Sequence, residues 1–166
     1  MNALVIFARP DDETMMCGGP LALLAIEGWN VHYICATRDQ GGEYGHPAHP
    51  LTHPGAASAM AALGERAPLF YTMQAAYPGH SRPRLANKDD QAHLLLDVSP
   101  VKVRKTNAAR RHRTQHAMFI RNLSKDLGCP VSLEEVVILE ESLHPVYPPV
   151  LVDEIITDEL MQSLEK

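Results

Sequence analysis

Six consecutive apolar residues, Ala3-Leu4-Val5-Ile6-Phe7-Ala8, run up to Pro10 and narrow the folds open to this chain. A run this short, rich in β-formers and without polar alternation, reads as a strand covered on both faces. After a polar loop, Pro20 stands where a first helical turn tolerates proline. Leu21, Leu23, Leu24 and Ile26 supply an apolar face, and Gly28 is placed to end the helix. Val31-His32-Tyr33-Ile34-Cys35-Ala36 is a second β-rich run. Strand, helix and strand within about 36 residues make a βαβ unit, whose strands are parallel. The chain is therefore expected to be α/β, with a mostly parallel sheet and flanking helices.

At 166 residues the sequence suits one domain spanning 1–166, with 130–166 as an acidic C-terminal extension of it. No apolar run approaches the ~18 residues of a membrane span and the start lacks the pattern of a signal peptide, so a cytoplasmic protein without a membrane partner is expected. Cys17, Cys35 and Cys129 fit neither a disulfide framework nor a four-cysteine zinc site, and read as buried thiols. A net charge of −5 argues against nucleic-acid binding. From Lys102 to Lys125 every charge is basic, and from Glu134 onward nearly every charge is acidic. Without interleaved aromatic residues the basic stretch reads as a helix near the acidic tail or facing solvent, not as a nucleic-acid platform.

Further along, residues 41–55 are rich in Gly, His and Pro and are expected to lack regular structure, while Gly55–Glu65 reads as helix and Pro68–Met73 as strand. Residues 74–93 read as a long polar loop and Leu94–Val98 as a strand. Ser99 and Pro100 then open a helix running to about Asn122. Ser132 and Glu135 have capping-box spacing, although Val136-Val137-Ile138 suits a strand equally well. Ile155, Ile156, Leu160 and Leu164 are compatible with an amphipathic helix that covers the sheet or pairs with another subunit to form a homo-oligomer.

In open sheets ligands bind beyond the carboxyl ends of the strands, which directs attention to Arg9–Thr14 and Thr37–Gly45. Asp11, Asp12 and Glu13 follow the first strand directly. Neighbouring side chains point in different directions, so one carboxylate can ligate a metal while the next takes a proton from metal-bound water. The plainer reading is a solvated turn whose acids cap the following helix. His46, His49 and His53, spaced three and four apart, can converge on one metal or divide between metal and substrate, or form an exposed loop.

Taken together these segments resemble the LmbE-like (PIG-L) family of zinc-dependent N-acetylglucosaminyl deacetylases. The resemblance rests on Phe7-Ala8-Arg9-Pro10-Asp11-Asp12-Glu13-Thr14, Cys17-Gly18-Gly19, Cys35-Ala36-Thr37-Arg38-Asp39-Gln40-Gly41-Gly42-Glu43 and Tyr44-Gly45-His46-Pro47-Ala48-His49 with His53. Asp97-Val98-Ser99-Pro100 and Ala109-Arg110-Arg111-His112-Arg113-Thr114-Gln115 continue it in the same order. The resemblance implies a Rossmann-like sheet and hydrolysis of an acetylated amino sugar by zinc-bound water. It implies Asp11 as general base, Asp12 and His49 as zinc ligands, and His46 as the group that polarises the carbonyl or protonates the leaving amine. Arg9, Glu13, His53, Arg38, His112 and Arg113 would lie against substrate or support the site.

Three departures stand out. Arg9 occupies a position where the family has a histidine ligand, and a guanidinium has no lone pair for zinc. Ala48 replaces an acidic residue that would orient the neighbouring histidine. The segment separating Gly41-Gly42-Glu43 from Tyr44-Gly45-His46 is missing, which shortens the central sheet. The alternative reading is a metal-poor pseudoenzyme of the same family that binds a sugar or a partner, with Arg9 neutralising the carboxylates in place of metal.

Overall fold

A computed structural model describes residues 1–35 and 48–147, with the backbone alone for 48–50 and 156–157. Strand β1 (Asn2–Phe7) and strand β2 (Asn30–Cys35) are parallel, in register from Asn2 opposite Asn30 to Phe7 opposite Cys35. Helix α1 (Asp12–Ile26) joins them, completing the expected βαβ unit. The helix begins eight residues before Pro20, and Cys17 (φ −146°) kinks it between the two. Pro20 thus falls in the first turn after a kink, where its missing N–H does no harm.

Helix α2 (Ala48–Leu63) starts within the stretch expected to be irregular, and the expectations for 41–47 lie outside the described residues. Pro50 falls in its first turn, where proline is tolerated, and Pro54 is carried inside the helix. Strands β3 (Phe70–Met73) and β6 (Leu94–Asp97) fall where the sequence placed them. The intervening loop also holds two short parallel strands, β4 (Ala75–Ala76) and β5 (Asn87–Gln91). After a 3-10 turn at Ser99–Val101, the single long helix expected there is two: α3 (Lys102–Arg111) and α4 (Arg113–Leu127). His112 (ψ 68°) breaks the helical path, and the Ala109 carbonyl, which accepts the His112 N–H at 3.1 Å, also has the His116 ring nitrogen at 3.2 Å. Ser132 and Glu135 form the capping box of the short α5 (Leu133–Val136), deciding that segment for helix.

The expected mostly parallel sheet is seen only in part. Among the described residues there are three separate sheets, and the largest has the order β3, β7 (Glu140–Tyr147), β6, β8 (Ile156–Thr157). Strand β7 is antiparallel to both β3 and β6, and only β6 with β8 is parallel. Ile156 therefore lies in a strand and not in the amphipathic helix expected there. Pro145 is tolerated in an inner strand because the ladder shifts register opposite it, between Phe70 and Tyr71. Among the described residues β1 pairs only with β2, and it is not buried along its whole length: Leu4 is 55% exposed while Phe7 and Ala8 are buried.

Among the described residues two apolar clusters form the core. Leu94, Leu96, Val98, Val101 and Leu143 fill one, and Met15, Ala109, Leu133, Val136 and Val137 the other. Helix α1 enters both, through Ala22 and Leu23 on one side and Met15 and Met16 on the other. Between them sits a buried ion pair: Lys105 Nζ lies 2.6 Å from Glu141 Oε1, with both side chains 1% exposed. Lys105 also donates to the Ile138 carbonyl at 2.7 Å, and the Gly19 N–H donates to Glu141 Oε1 at 2.9 Å. Burial pushes the Glu141 carboxyl above its ordinary pKa, while Lys105 and the Gly19 N–H pull it back. A Cβ on Gly19 would stand 2.3 Å from Val98 Cγ1 and 2.6 Å from Glu141 Oε1, so only glycine lets α1 approach this closely. The basic helix thus faces the acidic C-terminal segment, as Arg110 pairing with Glu134 also shows. Of the three cysteines expected to be buried only Cys17 is; Cys35 is half-buried and Cys129 exposed. Among the described residues no helix is long and apolar enough to cross a membrane.

Gly19→Ala is expected to destabilise the fold by about 1–3 kcal/mol through overpacking. Lys105→Met should cost about 3–5 kcal/mol by leaving a buried carboxylate unpaired, and adding Glu141→Leu should recover part of the loss. Urea unfolding followed by the fluorescence of the single tryptophan, Trp29, measures all three.

Candidate functional site

The chain turns sharply where β1 gives way to α1, and the turn is held by its own acids. Asp12 Oδ2 accepts the Arg9 N–H at 3.0 Å, and Glu13 Oε2 accepts the Asp11 N–H at 2.9 Å. Asp12 and Glu13 thus satisfy backbone donors that precede the helix, near its positive end, and no side chain caps the helix as the plainer reading asked. The turn is buried, however, not solvated: Arg9 is 6% exposed and Asp11 4%. Asp11 precedes the helix with φ 119°, a backbone region that favours glycine. A non-glycine residue held there is strained, and such strain concentrates at functional sites.

Arg9, Asp11 and Asp12 open on a cavity of about 1100 Å³. Its apolar walls include Met16, Leu24, Met60, Phe70 and Phe119, and Trp29, Gln74 and Gln115 add polar atoms. The inner side of β1 from Ala3 to Ala8 forms one wall and Pro68 to Gln74 the facing one, because β1 and β3 belong to different sheets. Helix α2 brings Thr52 and His53 to the same space, and the exposed His53 ring lies 6.1 Å from that of Phe70.

Glu13 points to the other side of α1. There Thr14 Oγ1 donates to Glu13 Oε1 at 2.9 Å, and His112 Nε2 stands 3.3 Å from Thr14 Oγ1 and 3.4 Å from Glu13 Oε1. The break between α3 and α4 places His112 there. Tyr33 donates to Glu13 Oε2 at 3.4 Å; burial first, then Cys35 and Glu13, raise the pKa of its phenol, which makes it a donor and not a base. Glu13 and Thr14 also line a smaller cavity of about 250 Å³ together with Lys105 and Arg104. Arg113 is exposed and lines neither space.

The sequence candidates are thus divided. Arg9, Asp11, Asp12 and His53 share the large cavity, and Glu13 and His112 meet behind it. His46 and Arg38 lie outside the described residues, as does the side chain of His49, whose backbone is in the first turn of α2. For zinc, the described donors do not suffice. Among the described residues no three His, Cys, Asp or Glu side chains gather to hold a metal, and the position of the expected histidine ligand is taken by the buried Arg9, whose guanidinium has no lone pair to give. The sequence reading missed Gln74, which it took as the first residue of a polar loop. Nothing in the local sequence marks it, since a glutamine gives no hint of a positive φ.

Comparison with known proteins agrees with the N-terminal half of this picture. The family described as PIG-L, GlcNAc-PI de-N-acetylase, matches residues 4–77. Over 42 residues the chain is 49% identical to the 1D-myo-inositol 2-acetamido-2-deoxy-alpha-D-glucopyranoside deacetylase of Segniliparus rotundus, a stretch that is 25% of this chain and 13% of that protein. In fold it is similar to GalB, the 4-carboxy-2-hydroxymuconate hydratase of Pseudomonas putida KT2440. The TM-score is 0.52 at 14% identity, covering 90% of this chain and 98% of that one. At that identity the likeness concerns the α/β fold alone. Residues 4–77, which match that family model, run from β1 through β4 and carry the acidic turn and most of the large cavity's walls.

Proposed function

We propose that the chain is a deacetylase-type hydrolase that cleaves the acetamide of an acetylated amino sugar. The observation that carries the reading is Asp11, a buried carboxylate on a strained backbone that opens on a large cavity inside the segment that matches the PIG-L family. The partial relative, whose name specifies a 2-acetamido sugar, supports the substrate class. In the reaction Asp11 takes a proton from water as the oxygen adds to the acetamide carbonyl carbon. The Arg9 guanidinium faces the negative charge that develops on the carbonyl oxygen, a role suited to a donor held in a site shielded from water. The intermediate collapses with cleavage of the C–N bond, Asp11 returns the proton to the nitrogen, and acetate and the free amine leave. His46 and His49 enter this reading only through the family resemblance.

A second reading is favoured by one specific observation, the burial of Arg9 where the motif calls for a histidine. It makes the chain a metal-poor relative that binds the acetylated sugar without cleaving it.

Acetate release from N-acetylglucosamine conjugates, with and without added zinc, separates the two. A hydrolase turns over, and Asp11→Asn lowers its rate at least ~100-fold while the protein stays folded. Binding with no acetate from either form would leave the second reading. Metal analysis after dialysis is expected to find less than stoichiometric zinc, rising in Arg9→His. Equal zinc in the two proteins would remove the argument from ligand count.

A further inference from the structure

Apart from glycine, two of the described residues have positive φ: Asp11 at 119° and Gln74 at 57°. They are 63 positions apart in sequence, yet both line the same cavity. Gln74 sits where the chain leaves β3 for β4, a change of sheet that a glycine would make without strain. A long polar side chain has been kept there instead, and it is 5% exposed.

Its hydrogen bonds show which end of the amide is engaged and which is not. The Nε2 group donates to the Met16 carbonyl at 3.0 Å, on the helix that carries the acidic turn. Because Met16 presents an acceptor, the amide cannot be turned over without setting two oxygens face to face. The main-chain carbonyl of Gln74 accepts from the Asn87 N–H at 2.6 Å. Oε1 is left buried with no hydrogen-bond partner among the described residues. A buried acceptor without a donor is costly, and so is a positive φ on glutamine. The fold bears both at one residue, on the wall of the cavity that Asp11 opens into.

We propose that Gln74 Oε1 accepts the N–H of the ligand's acetamido group, making Gln74 the residue that positions a secondary amide in this cavity. The inference rests on the deacetylase reading for its ligand class and adds to it a residue outside the motifs. An acetamide presents one acceptor and one donor. Arg9 faces the first and Gln74 the second, so an ester or a tertiary amide, which lacks the N–H, is discriminated against by the same contact.

The test follows the Gln74 side-chain amide by NMR in the ¹⁵N-labelled full chain during titration with N-acetylglucosamine and with N,N-dimethylacetamide. N-acetylglucosamine is expected to shift that resonance and the tertiary amide to leave it in place. Gln74→Gly should weaken N-acetylglucosamine binding about tenfold while leaving Tm unchanged or raised, because glycine relieves the backbone. Gln74→Met, which keeps the bulk and removes the acceptor, should weaken binding equally. A Gln74 resonance unmoved by N-acetylglucosamine, or unchanged affinity in both variants, overturns the proposal. So does a fall in Tm with affinity retained, which would mark the residue as structural. Should Gln74 respond while no acetate is released, hydrolysis fails and the contact stands. Acetate release with a silent Gln74 means the reverse: hydrolysis stands and the contact fails.

Discussion

The Lys105–Glu141 ion pair is the contact on which the rest of the structure depends. Two opposite charges taken fully out of water are tolerated only when geometry and further hydrogen bonds compensate. Here Lys105 also reaches the Ile138 carbonyl and Glu141 receives the Gly19 N–H. The pair ties α1, α3 and β7 at one point, between two apolar clusters that α1 joins. Its demand on shape is as strict as its demand on charge, because Gly19 must come within reach of Glu141 with no room for a methyl group.

That anchoring sets where the acidic turn can go. With α1 held against α3 and β7, its first turn projects toward the gap between β1 and β3, which among the described residues no shared sheet closes. The gap becomes the large cavity, with Asp11 and Asp12 at its edge and His53 supplied by α2. The opposite face of the same turn is occupied by Glu13, Thr14 and His112, which serve as support. One short peptide thus separates two roles by side-chain direction alone. The acids that hold the backbone in place leave Asp11 on a backbone it would not choose alone.

Much of this was legible in the residues. The apolar run of β1, the β-rich run of β2 and the helix between them follow from hydrophobic patterning, and so do β3 and β6. The capping box at Ser132 and Glu135 decided a segment whose propensities were even. The acidic turn was legible as a candidate because three carboxylates after a strand are costly to place without purpose. Less legible were the start of α2, where two prolines argue against a helix that tertiary contacts nevertheless impose, and the break at His112, which lies in good helical sequence. Strand β7 gave little signal, since it carries a proline, a histidine and a buried glutamate. Gln74 gave none.

By itself the sequence determined the local elements of the βαβ unit, the candidate residues at its carboxyl end and the departure that Arg9 introduces, because these depend on residue type and short spacing. Only the tertiary structure decided that the described strands divide among separate sheets with β7 antiparallel to its neighbours β3 and β6, that one lysine of a basic run is buried against one glutamate of an acidic stretch, and that Gln74 shares a cavity with Asp11. Such pairings join residues many positions apart, and burial changes what each is worth. A charge or an amide that water would satisfy anywhere in the unfolded chain acquires meaning only when packing removes the water and sets a specific neighbour in its place.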